Sequence, residues 1–144
     1  MRTSHFAAVA VLTLASLPAQ VFIVDAANGA GSHFTDLAVA IASVPDGSTL
    51  RVRAGSYAGW TVTGRGLAIV GEGAVVIQGL ASIVSTLPPQ RVLLRGLRMI
   101  GGLSVFQAAG PVAIESCDIP LYLGITAKVH SSTDVRIHDC QLSG

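Results

Sequence analysis

The sequence predicts an all-β fold: a right-handed parallel β-helix (β-solenoid) of about five coils with a short N-terminal capping α-helix. Three observations predict it. Five apolar-x-apolar triplets, Leu50-Arg51-Val52, Leu67-Ala68-Ile69, Val92-Leu93-Leu94, Val112-Ala113-Ile114 and Val135-Arg136-Ile137, start 17, 25, 20 and 23 residues apart. The last three extend in matching register, with Leu97/Met99, Cys117/Ile119 and Cys140/Leu142 at the same later places. Sixteen glycines and 5% aromatic residues favour short strands and turns over a helical bundle. A mostly-strand repeat near 21 residues is the pattern of a solenoid. The gaps hold no helix long enough for βαβ crossovers, and register-matched repeats suit antiparallel hairpins poorly.

The first element lies outside the fold. Arg2 and His5 precede the apolar run 6–17, and Leu17-Pro18-Ala19 offers a small residue for cleavage before Gln20. That is the layout of a secretory signal peptide, so residues 1–19 read as an export segment and 20–144 as the β-helix domain. At 12 residues the run is too short to span a bilayer of roughly 30 Å, and nothing later is long enough. The expected location is therefore secreted or cell envelope, with no membrane span after signal removal. The formal charge of +1 argues against nucleic acid.

Val21 to Val24 is a short apolar strand, broken by Asn28-Gly29-Ala30-Gly31. Phe34, Leu37, Ile41 and Val44 then recur at helical spacing, giving a helix of about three turns. Thr35-Asp36 cap its start, and Pro45-Asp46-Gly47 stops it. Such a helix is marginal alone and must cover the open end of the solenoid. The triplets supply inward ladders: Leu50/Leu67/Val92/Val112/Val135 and Val52/Ile69/Leu94/Ile114/Ile137. Between the second and third triplets, Leu80 to Gln90 carries Pro88-Pro89 and reads as a loop bulging from the sheet, either an ordinary surface excursion or a ligand-facing wall. Tyr57 and Trp60 beside the first coil suit packing better than sugar stacking. Cys117 and Cys140 fall at one repeat position, where parallel stacking strains a disulfide; two buried thiols are favoured over a bridge.

Val24-Asp25, Phe34-Thr35-Asp36-Leu37, Val44-Pro45-Asp46-Gly47, Leu50-Arg51-Val52, Gly55-Ser56-Tyr57 and the 67–73 stretch LAIVGEG, in that order, resemble the opening of pectin-lyase-like right-handed parallel β-helix proteins, pectin methylesterases most of all. The resemblance implies the fold and a role on acidic polysaccharide. It does not carry over the chemistry. Gly59 stands where the esterases' early glutamate would be, and their paired aspartates have no counterpart, so no residue is catalytic by this route. The family's complete enzymes have more coils, so the chain reads as the N-terminal part of a longer solenoid, its last coil covered by further coils or another subunit.

In the repeat register the outward positions form columns: Arg53, Val70, Arg95, Glu115, His138; then Gly71, Gly96, Ser116, Asp139; then Arg98, Asp118, Gln141. Arg95, Arg98, Glu115, Asp118, His138 and Asp139 are therefore the candidate ligand-binding residues. Carboxylates beside His and Arg can grip a uronate chain or hold Ca2+; they can equally pair with one another on a solvated face. No zinc-site spacing, Gly-x-Ser-x-Gly elbow or phosphate-binding loop is present. The expected function is binding of acidic polysaccharide, or its processing in a longer form. The alternative is a non-catalytic envelope or adhesive scaffold.

Overall fold

The computed structural model describes residues 19–120 and 127–143; the export segment lies outside them except for Ala19. Strand β1 (Val21–Val24) is followed by helix α1 (Leu37–Ser43) and β2 (Ser48–Tyr57). Then come β3 (Trp60–Thr63), β4 (Leu67–Ile77), β5 (Ala81–Val84), β6 (Val92–Met99), β7 (Leu103–Phe106), β8 (Val112–Glu115), β9 (Ala127–His130) and β10 (Val135–His138). Every strand pairing is parallel, in two sheets: β1-β2-β4-β6-β8-β10 and β3-β5-β7-β9. The chain alternates between them and climbs one strand per circuit. This is a β-solenoid of about four turns, consistent with a right-handed β-helix.

The ladders fill the interior between the sheets. Leu67, Val92 and Val112 stack in one column, and Leu50, Ile69, Leu94 and Ile114 in another, all at or below 1% exposure. Each such side chain contributes roughly 1.5–3 kcal/mol by leaving water. The second sheet adds Trp60, Ala81 and Leu103, then Val62, Ile83 and Val105. A third inward set, Tyr57, Ile77, Met99 and Ile119, closes the remaining side.

The first coil departs from the expected register. Leu50 pairs with Ile69 and Ser48 with Leu67, a shift of two residues. Inside and outside alternate with period 2, so a two-residue shift leaves the apolar pattern unchanged and cannot be detected from it. The correction also moves Arg53 out of the charged column. Arg51 takes its place, opposite Val70.

The helix is shorter than its periodicity suggests. Asp36 caps it by accepting a hydrogen bond from Val39 N at 3.0 Å, and Phe34 stays outside, bridging to Val24 in parallel. Leu37, Ala40 and Ile41 face the first coil, against β2 and β3. Arg65, on the next coil, donates from Nη1 to Ile41 O at 2.9 Å and Val44 O at 2.8 Å, tying down the C-terminal end.

The expected loop from Leu80 to Gln90 is only half a loop. Ala81–Val84 is β5, with Ile83 fully buried, and the chain leaves the sheet at Ser85. The apolar-x-apolar signal there is one alternation long, and the prolines that follow outweighed it in the sequence. Corners are turned by single residues in the left-handed region: Gly64, Ser85, Gln107 and Ser131 after the strands of the second sheet, and, in the first, Gly96 within β6, Ser116 after β8 and Asp139 after β10. In the last described coil Val135 and Cys140 are half-buried, while Ile137 and Leu142 are exposed. No described strand covers its outer edge.

Candidate functional site

Two of the three expected outward columns are present on the described coils, split by a corner. Val70, Arg95, Glu115 and His138 share one column on the six-stranded sheet. Arg98, Asp118 and Gln141 form another, by isolated parallel bridges. Between them runs the left-handed corner that includes Gly96, Ser116 and Asp139. The candidates are thus neighbours along each column, but the corner turns the two columns to different outer surfaces. A cleft of about 410 Å³ includes Glu115, and one of about 340 Å³ includes Arg98 and Asp118; neither includes both carboxylates.

Within the columns the charges pair across coils. Arg95 donates from Nε and Nη2 to Glu115 Oε2 at 3.0 and 2.5 Å, and Arg98 Nε lies 3.2 Å from Asp118 Oδ2. Exposed pairs of this kind contribute about 0–1 kcal/mol. Asp118 Oδ1 is shielded from solvent and has no hydrogen-bond partner among the described residues. Asp139 is exposed on the corner, and His138 sits in register above Glu115. Among the described residues, no three His, Cys, Asp or Glu side chains converge as a metal ion requires.

The aromatic candidates are structural. Trp60 and Tyr57 are buried, and the Tyr57 hydroxyl accepts from Ala26 N at 3.1 Å and donates to Arg53 O at 2.9 Å. Gly59 has no room for a side chain. A Cβ there would lie 2.7–2.9 Å from the backbone of Gly79 and Leu80 on the next coil, so a glutamate at this position would push two coils apart.

The cysteines are free thiols, Cys117 buried and Cys140 half-buried. Half-burial of Cys140 departs from the expected two buried thiols, because it stands on the last described coil. Burial pushes the Cys117 pKa up to about 11, leaving it an inert thiol at neutral pH.

Sequence reasoning missed three charged side chains that the structure singles out. Asp25 is buried and accepts from Ala27 N at 2.9 Å, Gly29 N at 3.1 Å and Arg53 Nη1 at 3.0 Å. The Ala27 N–H and the Arg53 guanidinium hold its carboxyl below the usual carboxylate range, against the opposing effect of burial. Arg65 clamps the helix, as above. Arg91 is exposed at the end of the 85–91 loop and forms no ion pair or side-chain hydrogen bond among the described residues. Nothing in the residue pattern distinguishes Arg91 from Arg95 or Arg98; only the positions of the carboxylates do.

No family model, curated protein or solved structure matches the chain.

Proposed function

We propose that the protein is an exported, pectin-lyase-like β-helix that binds acidic polysaccharide without transforming it, and that a longer form with more coils would carry any processing activity. One observation carries the reading. Asp25, Glu72, Glu115, Asp118 and Asp134 are each paired with an arginine, and Asp36 and Asp46 accept backbone N–H groups. The cations Arg91 and Lys128 are exposed and without such partners among the described residues. Asp139 is the one acidic residue with neither kind of partner among the described residues; set against it, Arg91 and Lys128 offer two exposed cations to an anionic ligand. The resemblance of the N-terminal stretch supports the choice of polysaccharide.

The second reading, a non-catalytic envelope or adhesive scaffold, is favoured by the paired columns: Arg95–Glu115 and Arg98–Asp118 tie successive coils together and satisfy their own charges. Electrophoresis of the 20–144 segment through gels containing polygalacturonate separates the two. Retardation relieved by salt is the expected result. Mobility unchanged by the polymer would favour the scaffold.

A further inference from the structure

Cys117 and Cys140 stand one above the other. The parallel bridge between Asp118 and Gln141, and the hydrogen bond from Gln141 N to Cys117 O at 2.9 Å, put them at the same place on successive coils. Their sulfurs also repeat each other's contacts. Cys117 Sγ donates to Glu115 O at 3.3 Å and to Leu94 O at 3.7 Å. Cys140 Sγ donates to His138 O at 3.2 Å and to Ile114 O at 3.4 Å. Glu115 pairs with His138 and Leu94 with Ile114, so the surroundings of the second sulfur are those of the first moved along by one coil. Two side chains related in this way hold their sulfurs about one strand spacing apart, roughly 4.8 Å.

That separation selects a chemistry. A disulfide needs its sulfurs roughly 2 Å apart, which the stack does not offer without moving a coil. A metal–thiolate bond is roughly 2.3 Å long, so an ion with one sulfur on either side spans about 4.6 Å and fits between the coils as they stand. Such an ion is two-coordinate. Zinc takes four ligands in structural sites and iron–sulfur clusters take four cysteines, whereas copper(I), a soft ion, is satisfied by two thiolates in line. Among the described residues no third His, Asp or Glu converges on the pair, and Leu97, next to Cys117 on the preceding coil, is apolar and buried. Burial of Cys117 keeps water and harder ligands away, while half-burial of Cys140 leaves a way in.

We infer that Cys117 and Cys140 together bind one copper(I) ion, held in line between their sulfurs. Each thiol releases its proton to water as its bond to the ion forms, and no electron is transferred. Two thiolates and one copper(I) leave a single negative charge, which solvent reaches on the Cys140 side. The site lies within the stack of coils and is independent of what the outer surface binds.

Anaerobic titration of the reduced protein with copper(I), in competition with a chromophoric copper(I) chelator, tests the site. One ion per chain is the expected end point, with affinity unchanged by excess zinc(II). Cys140→Ser and Cys117→Ala are each expected to raise Kd by more than about a hundredfold, beyond the cost of losing a supporting group around a metal. Circular dichroism checks that each variant is folded. X-ray absorption of the copper-loaded protein needs no variant and should show two sulfurs at one short distance and no other bound atom. Three or more bound atoms, half an ion per chain, or displacement of copper(I) by zinc(II) would overturn the linear site. If Cys140→Ser weakens binding and folded Cys117→Ala does not, a single thiol accounts for the copper and the pair does not. No binding by the folded, unaltered protein would refute the inference outright.

Discussion

Asp25 shows how one side chain can hold an entry turn. It lies just after β1, receives two N–H groups from the turn that follows, and faces Arg53 from the first coil. Gly29 is required beside it, because a Cβ there would lie 2.6 Å from Asp25 Oδ2. The depressed pKa has a definite sign for stability. The ionised carboxylate is favoured in the fold, so its contribution is complete above the ordinary carboxylate range and is lost as pH falls through the lowered folded value. Asp25→Asn is therefore expected to lower the thermal midpoint at pH 6 to 8. The gap from the unaltered protein should close as pH drops below about 4. A gap independent of pH in thermal melts would show that the charge is not what Asp25 contributes.

At the scale of elements, the central strands β4, β6 and β8 carry the stability, because each is paired on both sides and fully buried along its inward column. Ile114 has no exposed surface and stacks on Leu94. Ile114→Asp places a carboxylate there with no partner, at a cost above about 4 kcal/mol. A fold of this size is stable by roughly 5–15 kcal/mol, so most of the soluble folded protein should be lost. Retention of the native circular dichroism spectrum by this variant would refute the ladder. The capping element relies on a contact between coils: α1 spans only two turns and depends on its apolar face and on Arg65 from the following coil.

At the scale of the whole molecule, the solenoid separates charges that a folded catalytic site would bring together. Glu115 and Asp118 are three residues apart in sequence, yet the Ser116 corner turns them to different surfaces, each occupied by an arginine. Paired acid and base chemistry needs two titratable groups within reach of one substrate atom. The 20–144 segment is accordingly expected to release no unsaturated, hydrolysed or de-esterified product from pectin, pectate or alginate over prolonged incubation. Turnover of any of them, followed by ultraviolet absorbance, reducing ends or released methanol, would contradict this.

The fold class and the inward ladders from Leu67 to Val112 and from Ile69 to Ile114 are legible in the residue pattern, because burial imposes period 2 on every strand and the solenoid repeats it coil after coil; the expected members Val135 and Ile137 lie on the last described coil, half-buried and exposed. The pattern also pointed to Asp36 as part of the helix cap, since capping depends on local residue types. The rest depends on contacts between coils, which the three-dimensional arrangement supplies. It decided the register of the first coil, since a two-residue slip leaves the apolar pattern intact. It placed β5 inside what composition marked as a loop, because pairing with β3 and β7 outweighs the nearby prolines. Among the arginines, it alone separated those already paired, such as Arg95 and Arg98, from Arg91, which has no ion-pair partner among the described residues. Columns can be read from spacing, but whether a charge in a column is already paired depends on what the neighbouring coil places beside it.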